Sequence, residues 1–356
     1  MEIRVVVIDD SAFMRKMISE MLESDSRIKV VATARSGRDG IEKIKKYQPH
    51  VATLDVEMPV MDGIEALEEI MDSNPLPIIM LSSVTTAGAA MTMRAVQLGA
   101  IDFIAKPSGP ISLDIDEIKD ELIKKVIAAS NALVMKKEAN VKEIEKQEKP
   151  LRAAHFHQPH ARSVVAIGTS TGGPKALLHV LKGIPADFPA PIVIVQHMPP
   201  GFTKSLAERL DHSTSIHVKE AEHGEILQNG HAYIAPGDYH LEIKQVGTAL
   251  VNNLNHDNKI NGHRPSVDVL FESLVNIGNV NKLAVILTGM GNDGSKGIRS
   301  MKRTDPKTIV IAEDKETSVV YGMPKAAVLT NCVDHVAKLQ QISEIISGVL
   351  RKKRGI

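Results

Sequence analysis

The chain has 356 residues, enough for two domains at about 150 residues apiece. Lys plus Arg number 43 and so do Asp plus Glu, so a formal charge of zero gives a nucleic-acid or polyanion binder no electrostatic footing. The single cysteine, Cys332, excludes a disulfide framework and a cysteine-based zinc site.

The opening MEIRVVVIDD carries acids where a signal peptide needs a longer apolar run. The longest uncharged stretch, residues 73–93, holds two prolines and a Ser/Thr-rich centre, which suits a strand and a loop better than a membrane span. A cytoplasmic protein without direct membrane insertion is expected. Short β-branched or aliphatic runs at residues 3–8, 29–33, 51–54, 77–81 and 101–105 alternate with amphipathic stretches. In residues 12–22, for example, Phe13, Met17, Ile18 and Leu22 share one face. Five strands and five helices in strict alternation predict a doubly wound parallel sheet covered on both sides.

In such a sheet the loops at the carboxyl ends of the strands converge on one crevice. Asp9 and Asp10 follow the first strand and Asp55 the third. Ser82 and Ser83 end the fourth, and Lys106 with Pro107 ends the fifth. Three carboxylates so gathered repel one another unless a hard cation sits among them, and Mg²⁺ favours such oxygens. A carboxylate beside Mg²⁺ and a lysine is well placed to attack a phosphoryl group, because both cations neutralise charge on the phosphoryl oxygens.

Residues 136–162 are dense in both charge signs and then rich in Pro, Gln and His, without apolar periodicity. They read as a linker, helical at most at the start. His155, His157 and His160 lie in it, and nothing fixes their geometry for a metal. Beyond it the α/β alternation resumes, with strands at 164–167, 192–195 and 283–287 and helices at 174–181 and 203–210. Between about 215 and 265, phrases such as HAYIAPGDYHLEI and GTALVNN suggest inserted β-hairpins.

The stretch VVAIGTSTGGPKALLHVL runs from a strand through glycines into a helix that begins at Pro174. A Walker loop would need lysine where Pro174 stands, and a dinucleotide fingerprint would need glycine where Ser170 stands. The third reading is a serine nucleophile in a G-x-S-x-G turn, exposed beside the unpaired N–H groups of a helix start. Taken alone, the pentapeptide is also a common glycine-rich structural turn. His197 ends the adjacent strand in IVIVQHMPPGF, and Asp293 lies in the glycine loop of LAVILTGMGNDG. Ser170, His197 and Asp293 then have the residue types for nucleophile, general base and orienting acid. The common α/β-hydrolase order would instead make His335 the base, but its surroundings read as a helix start, so His197 is preferred. His179, on the helix after the serine, reads as a packing or surface residue.

Residues 1 to about 125, with the pattern DD…D…S…KP, resemble the receiver domains of bacterial response regulators. That resemblance implies phosphorylation of Asp55 by a histidine kinase. Mg²⁺ would be held by Asp9, Asp10, Asp55 and the Glu57 carbonyl. Ser82 and Phe103 would be the switch residues and Lys106 the phosphate partner. The phrases IGTSTGGP, VQHMPPGFT, YIAPGDYHL, HRPSVDVLF and LTGMGNDG occur in this order. With the receiver in front, the whole chain resembles the chemotaxis response-regulator protein-glutamate methylesterases. The implied layout is a receiver at 1–125, a helix end and flexible linker at 126–162, and a serine-hydrolase domain at 163–350. The second domain is expected to be α/β, with a mainly parallel sheet and a β-hairpin insertion. The resemblance implies hydrolysis of glutamate γ-methyl esters, and deamidation of glutamines, on methyl-accepting chemoreceptors. It places the triad at Ser170, His197 and Asp293, with oxyanion donors at the Thr171 and Met290 N–H groups and no cofactor in the esterase domain. Its partners would be a chemotaxis histidine kinase and the receptors, with the protein gathered at receptor clusters. A receiver that covers the esterase groove until phosphorylated is the regulatory expectation. A receiver-controlled serine esterase with another substrate is the alternative. A DNA-binding output module does not fit, since the second half lacks a basic recognition helix.

Overall fold

A computed structural model of the protein describes residues 2–83, 85–106, 115–132 and 163–354. The expected linker residues 133–162, with His155, His157 and His160, and Pro107 lie outside the described residues. The chain divides into two units, Met1–Glu145 and Lys146–Ile356, each with its own sheet.

The first unit runs β1 (Ile3–Ile8), α1 (Ala12–Glu23), β2 (Ile28–Ala34), α2 (Gly37–Tyr47), β3 (Val51–Asp55), α3 (Gly63–Ser73), β4 (Ile78–Ser82), α4 (Thr86–Leu98), β5 (Asp102–Ala105) and α5 (Ile115–Ser130). Among the described residues its strands form one parallel sheet in the order β2-β1-β3-β4-β5. Every residue of β3 and β4 is buried, as a parallel strand covered on both faces demands. Helices α1 to α4 start on side-chain caps. Ser11 accepts from the Met14 N–H, and Asp62 and Glu65 form a reciprocal capping box at α3.

The second unit runs β6 (Ser163–Thr169), α6 (Gly173–Lys182), β7 (Ile192–Gln196), α7 (Phe202–Ser213), β8 (His217–Glu220), β9 (His231–Ile234), β10 (His240–Val246), β11 (Ala249–Asn255), α8 (Val267–Val275), β12 (Asn281–Ile286), α9 (Ser295–Thr304), β13 (Ile309–Glu313), α10 (Met323–Val328), β14 (His335–Ala337) and α11 (Leu339–Arg354). Among the described residues, a seven-stranded parallel sheet has the order β14-β13-β12-β6-β7-β9-β8. The chain builds outward from β6 on one side and later returns to build outward from β12 on the other. The order reverses between β6 and β12, and the carboxyl ends of strands at such a reversal are where doubly wound sheets place ligands. Phe188, Phe202, Tyr233 and Phe271 are fully buried in this unit, each contributing about 2–3 kcal/mol of apolar burial.

Two local expectations change. HAYIAPGDYHLEI is not a hairpin: β9 pairs in parallel with β7 and β8, and the Ala235 N–H continues the pairing to the Ile194 carbonyl. The PGD turn redirects the chain out of that sheet, and β10 then forms the antiparallel hairpin with β11. The buried run Ala232–Ile234 favours a strand covered on both faces over a hairpin arm with one wet face. His335 does not start a helix; it begins the short edge strand β14 and is exposed.

Candidate functional site

β6 ends at Thr169 and Ser170 follows it. The turn closes through Gly172 at φ 78°, which a side chain would resist, and Pro174 sits in the first turn of α6. The register pairs Thr169 with Gln196, so Ser170 and His197 leave adjacent strands side by side. Hydrogen bonds lock this juxtaposition. The His197 N–H donates to the Thr169 carbonyl at 3.1 Å. Gln196 Nε2 donates to the carbonyls of both Ser170, at 3.0 Å, and His197, at 3.1 Å. The Ser170 N–H donates to the Thr288 carbonyl at 3.1 Å, which ties the serine turn to the end of β12.

Asp293 arrives from the loop after β12 and lies 2.8 Å, through Oδ2, from His197 Nε2. Both side chains are buried. The carboxylate also accepts from the Ser266 hydroxyl and from the Val267, Asp268 and Gly294 N–H groups, at 2.7–3.1 Å. Val267 and Asp268 open α8, so unpaired N–H groups of a helix start surround the anion. Burial pushes the carboxyl up, but the His197 ring and these N–H donors outweigh it and hold it down at about 2. Asp293 thus presents a fixed charge to Nε2, which selects the tautomer with the proton on that nitrogen. Nδ1 is then the nitrogen with a free lone pair, and among the described residues it has no hydrogen-bond partner. Thr171 and Met290 flank the serine, and neither N–H has an acceptor among the described residues. Gly289 carries no side chain because a Cβ there would come within 2.8 Å of the Ser170 Cβ and 2.5 Å of Met323 Sδ.

In the first unit the carboxyl oxygens of Asp9, Asp10 and Asp55 lie within 4.8 Å of one another. Asp9 and Asp55 are buried and Asp10 is exposed. Lys106 Nζ bridges the buried pair, 2.8 Å from Asp9 and 2.7 Å from Asp55. Burial pushes the Asp55 carboxyl up to about 6. Lys106 pulls against that and the charge of Asp9 adds to it. Three converging carboxylates, one of them costly to ionise, are a donor set that suits a hard divalent cation. The Glu57 N–H donates to Asp55 Oδ1 at 3.2 Å, which places the 55–57 turn beside the cluster. Ser82 is buried and its hydroxyl donates to the Gly88 carbonyl at 3.2 Å, at the first turn of α4. Phe103 is buried on β5.

The family model for CheB methylesterase matches residues 165–346, and that for the response regulator receiver domain matches residues 5–115. The chain belongs to the CheB methylesterase family. It is 52% identical to a protein-glutamate methylesterase/protein-glutamine glutaminase of Oceanobacillus iheyensis, over 97% of this chain and 98% of that protein. It is 53% identical to the protein of the same name in Halalkalibacterium halodurans, over 97% of both. The crystal structure of the Thermotoga maritima CheB methylesterase catalytic domain is 48% identical, with a TM-score of 0.51, covering 52% of this chain and 98% of that one.

The structure adds residues that sequence reasoning did not single out in this CheB-family chain. The His263 ring stacks on His197, with centroids 3.8 Å apart and planes 9° from parallel. Next to it, Arg264 clamps Asp238 at 2.6 Å and the carbonyls of His256 and Asp257, which braces residues 256–264 beside His197. Lys125, buried on α5, donates to the Phe103 carbonyl at 2.7 Å and sits 5.4 Å from the centre of its ring. Among fourteen histidines nothing in the sequence marks His263; the only signal is its place in HRPSVDVLF. His335 lies at the amino end of β14, away from the carboxyl-end rim, and His179 is exposed on α6.

Proposed function

We propose that this chain is a phosphorylation-activated protein-glutamate methylesterase and protein-glutamine glutaminase, which acts on methyl-accepting chemoreceptors for sensory adaptation. Family membership over nearly the whole chain supports the activity. The observation that carries the site is the 2.8 Å contact of Asp293 with His197, beside Ser170 at the sheet's switch point.

Ser170 Oγ attacks the γ-carbonyl carbon of the substrate glutamyl ester while His197 Nδ1 takes the hydroxyl proton. Asp293 stabilises the imidazolium through Nε2–H and keeps the ring in register. The tetrahedral oxyanion receives the Thr171 and Met290 N–H groups, typically worth about 3–4 kcal/mol each. Collapse with proton return from His197 releases methanol from an ester, or ammonia from a glutamine. Water, deprotonated by His197, then hydrolyses the acyl-serine to free glutamate and Ser170.

In the receiver, Asp55 accepts the phosphoryl group from a histidine kinase. Asp9, Asp10, Asp55 and the Glu57 carbonyl would hold Mg²⁺, which neutralises charge on the phosphoryl oxygens when bound. Lys106 pairs with the phosphoryl group, and Ser82 and Phe103 respond to it, shifting the receiver to a state that no longer restrains the esterase. No described helix is long and apolar enough to cross a membrane. The protein works from the cytoplasm, at clusters of its receptor substrate.

Methanol release from methylated receptor membranes tests the reading. Ser170→Ala abolishes it, and Asp55→Asn leaves a basal rate that a phosphodonor no longer raises. Retained turnover in Ser170→Ala overturns the mechanism, and activity confined to small soluble esters overturns the substrate.

A further inference from the structure

Glu313, the last residue of β13, is fully buried and takes no part in the chemistry above. Its Oε2 accepts the Thr288 N–H at 2.7 Å, while Oε1 has no hydrogen-bond partner among the described residues. Burial pushes the carboxyl above the ordinary range, more than the Thr288 N–H and the nearby Thr317 hydroxyl draw it down. Whether neutral or ionised, the carboxyl keeps an oxygen that can accept that N–H.

Thr288 is a hub for the serine turn. Its carbonyl accepts the Ser170 N–H at 3.1 Å and the Thr169 hydroxyl at 2.8 Å. Its own hydroxyl donates to the Thr171 carbonyl at 2.9 Å and accepts the Val320 N–H at 2.9 Å. Three consecutive residues around the serine therefore hang on Thr288, and Met290 follows it by two positions. Regular strand pairing ends one residue earlier, with the Leu287 N–H on the Gly168 carbonyl. Beyond that point the Thr288 N–H has no strand partner, and Glu313 supplies its acceptor.

We infer that Glu313 is a positioning residue of the esterase, holding the Thr288 peptide so that Ser170 and the N–H groups of Thr171 and Met290 keep the spacing a tetrahedral oxyanion requires. The inference rests on the roles proposed above for Ser170, Thr171 and Met290. An error of 1 Å in such a constellation costs up to about a hundredfold in rate, and the loss falls on kcat because the geometry matters only in the transition state.

The test uses the full chain with a phosphodonor and measures methanol release from methylated receptor membranes. Glu313→Met, matched in length but without a carbonyl oxygen to accept the Thr288 N–H, is expected to lower kcat by roughly tenfold to a hundredfold with KM unchanged within about twofold. Glu313→Gln keeps a carbonyl at the Oε2 position and restores kcat to within about threefold of the parent. Should Glu313→Met fail to fold, Glu313→Asp, one methylene too short to reach Thr288, is expected to show the same loss. Wild-type kcat in the Met or Asp variant overturns the inference. So does a Gln variant as slow as Met, since the loss then follows packing or charge and not the acceptor. Ser170→Ala, run alongside, separates the two levels. Turnover there refutes the serine mechanism itself, whereas a dead Ser170→Ala with an unimpaired Glu313→Met refutes only the role of Glu313.

Discussion

Replacing Asp293 with asparagine separates the two roles of that carboxylate. Oδ1 accepts from Ser266, Asp268 and Gly294, and Oδ2 accepts from Val267 and His197. Asparagine has one acceptor oxygen, and the cheaper orientation keeps it at the Oδ1 position. The amide NH₂ then faces the Val267 N–H and His197 Nε2. The imidazole can answer only by moving its proton to Nδ1, which removes the lone pair that would accept the Ser170 proton. By analogy with other triads, kcat falls about 10⁴-fold. Stability falls too. The shift of Asp293 from 3.8 to about 2 corresponds to about 2 kcal/mol of folding free energy at neutral pH. Because the folded-state value is depressed, this contribution is complete above about pH 4, roughly halved at pH 3 and nearly gone at pH 2. Urea unfolding of parent and Asp293→Asn at pH 7 should therefore differ by about 2 kcal/mol or more, with the gap closing below pH 4. Turnover within tenfold of the parent, or a stability gap of the same size at pH 7 and pH 2.5, would refute the reasoning.

Other consequences are measurable in the same preparations. His263→Ala should cost a stacking contact of about 0.5–1.5 kcal/mol, seen as a severalfold fall in kcat, while His263→Phe keeps most of the rate. Loss of binding without loss of kcat would assign His263 to the substrate and not to the base. In the receiver, burial raises Asp55 to about 6, so the folded state holds its proton more tightly than the unfolded chain. Without Mg²⁺, the receiver's stability should fall as pH rises from about 4 to about 6. Added Mg²⁺ should raise its Tm more at pH 7 than at pH 5, because the carboxylate is available chiefly above pH 6. Equal gains at both pH values would contradict the assignment of the cation to this cluster.

Strand-end logic is what made the rims readable in the sequence. A parallel strand covered on both faces is apolar along most of its length, so the polar residues that follow an apolar run mark its carboxyl end, as at Asp9, Asp55, Thr169–Ser170 and Gln196–His197. Those residues lie where that rule places them. Contacts across the sheet were not legible in the same way. Glu313 reads as an ordinary strand-terminal acid until β13 is laid beside β12 and its side chain meets the Thr288 N–H. His263 comes from a loop between β11 and α8, and only the packed fold turns its ring onto His197. Lys125 carries the charge of a surface helix residue, yet α5 lays it against Phe103 and between Asp102 and Glu121. The PGD turn misled for a related reason, since a turn signal reports a change of direction and not which strand the chain pairs with afterwards.

The reversed use of the imidazole follows from how the fold supplies its acid. In the serine-protease template the carboxylate meets Nδ1 and the serine meets Nε2. Here Asp293 meets Nε2. Asp293 is held below the ring by the first N–H groups of α8, and α8 packs under β6 with Val267 filling the space that the missing side chain of Gly168 leaves. A carboxylate anchored that deep reaches the far nitrogen of a histidine whose backbone is pinned to Thr169. In the proposed mechanism the nearer nitrogen then serves the serine on the neighbouring strand. On this proposal the helix cap, the tautomer and the direction of proton transfer follow from one packing arrangement. A change that moves the start of α8, such as a larger residue at Gly168, should alter the base before it alters the serine turn. Its signature would be a shifted pH–rate profile in a protein that still folds.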